Sequence, residues 1–177
     1  LTSLSTGVTP APLLMGLCHY LVPHNIMLNL EGTSKEDLLR KATDFLAESN
    51  GLKDPQQLFT LIWDREQSAS TFLPMGVAVP HARVVGLDEI KLAICLMPKG
   101  LDNSDDPTLP QTHVICIFIS PARETEFSAH LKLLSQIAAL FEDGEFMDKL
   151  LKAKTQDEAF HLMQQRERSL IPTANAT

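Results

Sequence analysis

The chain has 177 residues, 44% of them hydrophobic and 21% charged. That length corresponds to about one domain at ~150 residues each, and the composition excludes disorder or a collagen-like repeat as the main state. A chain of this size buries roughly 70% of its unfolded surface, enough for a core without disulfide or metal staples. With 15 Lys and Arg against 22 Asp and Glu the net charge is −7. This argues against nucleic acid as the main partner, since phosphate binding needs a basic face, and favours a small, exchangeable, mostly protein partner.

Leu1 to Leu30 contains no Asp, Glu, Lys or Arg. It is broken by Pro10, Pro12 and Pro23, carries His19, His24, Asn25 and Asn29, and lacks a basic segment before an apolar run. It therefore fits neither a membrane span nor a signal peptide, and no direct membrane insertion is expected. A start at Leu1 is consistent with processing or with a domain cut from a longer protein. Residues 1–25 read as an uncharged extension or linker, 26–168 as the folded domain, and 169–177 as a tail. The odd set Cys18, Cys95 and Cys116 has no CxxC spacing. These read as unpaired thiols of a reducing, cytoplasmic setting, with Cys95 and Cys116 inside apolar runs. No closely spaced ligand set for zinc is present, and no cofactor is expected.

In chain order, Ile26 to Leu30 reads as a short strand. Thr33 and Ser34, with Glu36 or Asp37 three residues on, form a capping-box start. Leu38, Leu39, Ala42, Phe45 and Leu46 then recur at helical spacing up to Asn50-Gly51. Asp54-Pro55 opens a second helix with Leu58, Leu61 and Ile62 inward, ending near Trp63–Glu66; Gln67 to Ser70 reads as loop. Two extended pieces, Thr71–Leu73 and Val77–Val79, flank a turn at Pro74-Met75-Gly76. Ile90–Met97 and His113–Ile119 are the clearest strands. An acidic loop, Gly100–Gln111, lies between them and reads as a solvated excursion. Pro121 ends the second strand. Glu124–Phe141 predicts an amphipathic helix with Phe127, Leu131, Leu134, Ala138 and Phe141 on one face. A short helix follows Asp143-Gly144, and a last one capped at Thr155 turns Ala159, Leu162 and Met163 inward. The alternation of helices and strands predicts an α/β (α+β) fold: a mixed central sheet flanked by helices on both faces.

Three residues attract attention as chemistry. In Gly76-Val77-Ala78-Val79-Pro80-His81-Ala82-Arg83, proline removes an amide donor, so the strand should stop and His81 should emerge at its end, facing a cleft. Imidazole titrates near neutrality and can act as base, metal ligand or nucleophile toward phosphorus. A surface-turn histidine is the bland alternative. Arg65 offers a planar guanidinium to phosphate or carboxylate, or is simply a solvated partner of Asp64 or Glu66. His130, between Phe127 and Leu134, is otherwise a boundary histidine.

Together, LF-x-LI-xx-RE-x-SAST, GVAVPHAR and HLKLLSQIA-x-LF-x-D, in that order, resemble the fructose/mannitol-type enzyme IIA domain of the bacterial phosphotransferase system. The group includes the nitrogen-regulatory enzyme IIA. The likeness runs from about Ile26 to Gln165. It implies that His81 is the phosphoacceptor, His130 the second active-site histidine, and Arg65 the arginine beside them, followed by Glu66. It implies receipt of a phosphoryl group from HPr or an HPr-like carrier and delivery to a IIB domain, or regulation of a target protein by phosphorylation state. Backbone amides near Gly76, or after His81 at Ala82 and Arg83, could add donors to the phosphoryl group. Met75 and Leu73 are candidates for an apolar docking rim. Phe72-Leu73-Pro74-Met75 departs from the glycine or polar residues often found there in the family. Three readings stay open at this level: a sugar-transport phosphocarrier, a regulatory module of the same fold, and a metal-assisted hydrolase using His81 and His130.

Overall fold

The computed structural model describes residues 16–171. Its two most apolar strands set the architecture. β4 (Lys91–Leu101) and β5 (Thr112–Pro121) pair antiparallel, with Ile94 opposite Cys116 and Cys95 opposite Ile115. β1 (Ile26–Met27) lies parallel to β4 on its outer side. β2 (Val77–Ala78) and β3 (His81–Val84) lie parallel to β5 on the other edge. Alternation along the strands sorts side chains into two layers. Leu92, Ile94, Leu96, Val114, Cys116 and Phe118 pack under α3 (Phe127–Phe141), α4 (Gly144–Leu151) and α5 (Gln156–Leu170). Ala93, Cys95, Met97, Ile115, Ile117 and Ile119 pack under α1 (Lys35–Ser49) and α2 (Pro55–Ser68). Both faces are covered, which is why these strands read as continuous apolar runs. The mixed sheet with helices on both faces is the class the sequence predicts.

The helix starts follow their local chemistry. Ser34 accepts the Asp37 amide at 3.1 Å, and the Asp37 carboxylate accepts the Thr33 amide at 3.0 Å. Asp54, Asp143 and Thr155 cap α2, α4 and α5 in the same manner. Gly51, at φ +64°, closes α1 in the left-handed region that glycine adopts freely. The turn before β2 needs the same freedom at Gly76, φ +81°.

Five elements differ from the sequence expectation. Pro80 does not stop the edge strand. It breaks the ladder between β2 and β3, and the strand resumes in the same register, Val77 beside Val114 and His81 beside Phe118. An edge strand tolerates a missing donor. α2 continues to Ser68, and its inner face is Leu58, Phe59, Ile62 and Glu66, while Leu61 is exposed. α3 is preceded by a 3₁₀ turn at Glu124–Glu126 and buries His130, Leu133, Ile137, Leu140 and Phe141, leaving Phe127 and Leu131 outside. α3 is apolar over a wide arc, so periodicity alone does not choose the buried stripe. Finally, Leu17–Tyr20 and Pro23–Asn25 form 3₁₀ turns within the region read as an extension. Leu17 and Leu21 sit in the core beneath α5, and Cys18 N donates to the Glu167 carboxylate at 3.0 Å. Ser169 and Leu170, assigned to the tail, belong to α5. The Thr2–Pro12 segment and residues 172–177 lie outside the described residues.

Leu17 is 1% exposed. Leu17→Ala should therefore lower unfolding free energy by about 2–5 kcal/mol in denaturant titration, as core truncations do. A change below ~0.5 kcal/mol would show that residues 16–25 add nothing to the folded body.

Candidate functional site

The site lies at the free edge of β3, where the two helical layers meet around the end of the sheet. Val77, Val79 and His81 share the face that carries Phe118 and Ser120 on β5, and this face meets α3. Upstream, the outer edge is covered: Leu73 N donates to Val77 O at 2.8 Å and Val79 N to Thr71 O at 3.0 Å. That covering ends at Val79, so β3 is open. Phe118 N bonds Pro80 O and Ala122 N bonds Val84 O. In a parallel ladder this turns the intervening amides of His81 and Arg83 outward and that of Ala82 toward β5.

A cavity of about 510 Å³ occupies this edge, lined by Arg65 and Leu61 from α2, His81, Ala82 and Arg83 from β3, and Phe127, His130, Leu131 and Leu134 from α3. The His81 ring is only 6% exposed, yet it lines this open cavity rather than the closed core. His81 Nδ1 donates to the Val79 carbonyl at 2.7 Å. A carbonyl only accepts, so Nδ1 carries the proton and Nε2 of the neutral ring has the free lone pair. Phe118 stacks against the ring at 5.2 Å and His130 stands edge-on at 5.1 Å. Burial pulls the His81 pKa below 6.5, aided by the Arg65 charge and opposed by the Val79 carbonyl and Glu66. Burial likewise takes His130 to about 4, with His81, Arg83 and Arg65 adding to the effect. Both rings are therefore neutral at pH 7.

The guanidinium of Arg65 is steadied by an Nη1 bond to Ala69 O at 3.0 Å. Arg83 Nη2 donates to Ala122 O and Arg123 O at 3.1 and 2.8 Å, and the group lies 5.0 Å over the Phe127 ring. Its Nε is buried without a hydrogen-bond partner among the described residues. Two cations and outward amides thus surround an unprotonated imidazole nitrogen, an arrangement that can hold a dianion in line with a nucleophile.

Other expected contributors sit elsewhere. Gly76 lies at the far end of β2, roughly 15 Å along the strand from His81; its amide bonds Leu73 O and its carbonyl accepts the His113 amide. Glu66 does not line the cavity. It is 3% exposed and accepts from Thr71 N, Thr71 Oγ1, Ser70 Oγ and Lys35 Nζ, anchoring the turn after α2 that orients Arg65. Leu73 and Met75 pack on the core; the apolar rim is instead Leu61, Phe127, Leu131 and Leu134. Sequence reasoning placed all four inward on their helices. Their one legible signal was position, since Leu61 sits one turn before Arg65 and Phe127, Leu131 and Leu134 flank His130. Ser120 and the Val79 carbonyl had no sequence signal. A larger cavity, about 850 Å³, lies beside the acidic loop, but its Lys35 and Lys99 are already paired with Glu66 and Glu31. Among the described residues no cluster of His, Cys, Asp or Glu is arranged to hold a metal ion, and no helix is long and apolar enough to cross a membrane. Cys95 and Cys116 are buried free thiols, with burial pushing Cys95 up to about 12.

A family model described as "Phosphoenolpyruvate-dependent sugar phosphotransferase system, EIIA 2" matches residues 19–166. The mannitol-specific phosphotransferase enzyme IIA component of Staphylococcus aureus is 31% identical over 141 residues, covering 76% of this chain and 88% of that protein. The fructose-specific EIIABC component of Bacillus subtilis is 27% identical over 154 residues; the match takes in 87% of this chain but spans only 24% of the relative's length. The crystal structure of the nitrogen regulatory protein IIA-Ntr from Neisseria meningitidis superposes with a TM-score of 0.72 at 26% identity, over 82% of this chain and 97% of that one.

Both histidines bind protons more weakly folded than unfolded, so their contribution to stability is full above pH 6.5 and is lost as pH falls, for His130 toward about 4. Histidine ring NMR should show both midpoints below 6.5, and unfolding free energy should drop between pH 7 and pH 4.5, less steeply in His130→Gln. A His130 midpoint at or above 6.5 would contradict the described environment.

Proposed function

The chain belongs to the EIIA type 2 family of the phosphoenolpyruvate-dependent sugar phosphotransferase system, and on that premise we propose that His81 is its phosphoacceptor. The ring takes a phosphoryl group from an HPr-like carrier and passes it to a IIB domain. The observation that carries this reading is the Nδ1–H bond from His81 to the Val79 carbonyl, which leaves Nε2 as the free nucleophile at the cavity.

The Nε2 lone pair attacks the phosphorus of the carrier's phosphohistidine in line. A new N–P bond forms as the donor N–P bond breaks, and the bonding pair leaves with the carrier's nitrogen. The Nδ1 proton stays in place, and its bond to Val79 O strengthens as the ring gains positive character. Phosphoryl transfer of this loose type needs alignment and charge neutralisation more than proton transfer. Arg65 and Arg83 supply the charge, His130 and the outward amides supply donors, and the Leu61, Phe127, Leu131 and Leu134 rim excludes water at the docked face. Onward transfer to IIB reverses the same geometry.

A regulatory role is the second reading, favoured by the likeness to a nitrogen regulatory protein. There the same phosphorylation, adding a charge of about −1.5 to −2, changes affinity for a target protein. Transfer to a IIB domain separates the two.

With phosphoenolpyruvate, enzyme I and HPr, wild type should gain one acid-labile phosphoryl group mapped to His81 by mass spectrometry, and His81→Gln should gain none. Arg65→Ala should slow the transfer by ~10²–10³, as loss of a preorganised donor does. Label persisting in His81→Gln would refute the assignment.

A further inference from the structure

We propose that Ser120 is a positioning residue for phosphoryl transfer, holding His130 in the tautomer that carries its proton on Nε2. The role rests on the phosphocarrier reading of the same cavity; the tautomer itself does not.

Ser120 is the last residue of β5 on the face shared with Phe118, and it is fully buried. Its Oγ lies 2.6 Å from His130 Nδ1 and has no other hydrogen-bond partner among the described residues. A hydroxyl has one hydrogen to give, and a neutral imidazole one to share between two nitrogens. If Nδ1–H donated to Oγ, the hydroxyl hydrogen would be left buried without an acceptor, a state folded proteins avoid. If Oγ–H donates to Nδ1, both groups are satisfied and the ring proton sits on Nε2. The depressed pKa of His130 supports the neutral ring on which this choice turns.

The result is a complementary pair. His81 is pinned through Nδ1 by the Val79 carbonyl and has a bare Nε2. His130 is pinned through Nδ1 by Ser120 and carries Nε2–H. One ring is the nucleophile, and the other is a donor to the phosphoryl oxygens. In the opposite tautomer His130 would turn a lone pair toward a dianion. A second-layer partner that fixes a histidine's proton is the same device that metal sites and hydrolytic triads use. No motif marked Ser120 in the sequence, because its partner arrives from an element ten residues away that periodicity had rotated.

The test reads the tautomer and the rate separately. Histidine-labelled, unphosphorylated wild type at pH 7 should give ¹⁵N shifts of the Nε2–H form for His130. Ser120→Ala should give a mixture of tautomers with the His81 signals unchanged. Its transfer from phospho-HPr should slow about tenfold, less than the ~10²–10³ of losing a donor outright, because the ring still samples the competent form. Ser120→Thr, which keeps the hydroxyl, should restore both. An Nδ1–H tautomer in wild type, or wild-type transfer by Ser120→Ala, would overturn the proposal. If wild type shows the Nε2–H form yet accepts no phosphoryl group with enzyme I and HPr present, the phosphocarrier reading fails and the positioning role goes with it.

Discussion

One hydrogen bond, from His81 Nδ1 to the Val79 carbonyl, orients everything else at the site. It fixes which nitrogen holds the proton, aims the other at the cavity, and keeps the ring flat on Phe118. The Val79 carbonyl faces away from β5, and the Thr71 amide opposite it in the covering segment is bound to the Glu66 carboxylate instead. The covering segment Thr71–Leu73 pairs with β2 and Val79 N but goes no further, so the Val79 carbonyl is left for a side chain. Proline works here as a register-preserving gap. The strand keeps its pairing with β5 across Pro80, while the outward-facing Val79 carbonyl accepts from the imidazole.

The electrostatics follow from the same edge. The chain as a whole carries −7, yet the cavity gathers Arg65 and Arg83 and holds two neutral histidines. The local field therefore favours a dianion while the overall charge discourages nonspecific anionic partners. Glu66 balances the arrangement from behind. Its carboxylate is consumed by Thr71, Ser70 and Lys35, so it raises the proton affinity of His81 a little without competing for the phosphoryl group. The exposed apolar side chains, Leu61, Phe127 and Leu131, cluster around the polar floor, the pattern of a docking surface in which a desolvated rim surrounds a few directed polar groups.

The sequence made much of this legible. Caps at Ser34, Asp54, Asp143 and Thr155 and the apolar runs of β4 and β5 were strong local signals, and they carry the fold. His81, Arg65 and His130 were singled out by side-chain chemistry and by family resemblance, and the structure brings the three to one cavity. What failed to show were matters of orientation. Periodicity on α2 and α3 could not distinguish a stripe facing the sheet from one facing a partner, because both are apolar. Gly76 and Glu66 looked like site residues because they neighbour site residues in the chain, but a strand of five residues carries Gly76 away, and Glu66 points inward from the helix that presents Arg65. Ser120 acts through a contact between β5 and α3 that leaves no trace in a single sequence, and the Val79 carbonyl, though only two residues from His81, is a backbone group that no residue type encodes.

The central claim is that Nε2 of His81 is the phosphorylated atom because Nδ1 is committed to the backbone. Phosphorus–nitrogen coupling in ¹⁵N-labelled phosphoprotein tests it most directly. The account requires coupling to Nε2 of His81, with Nδ1 still protonated. Coupling to Nδ1, or to a nitrogen of any other residue, would contradict it.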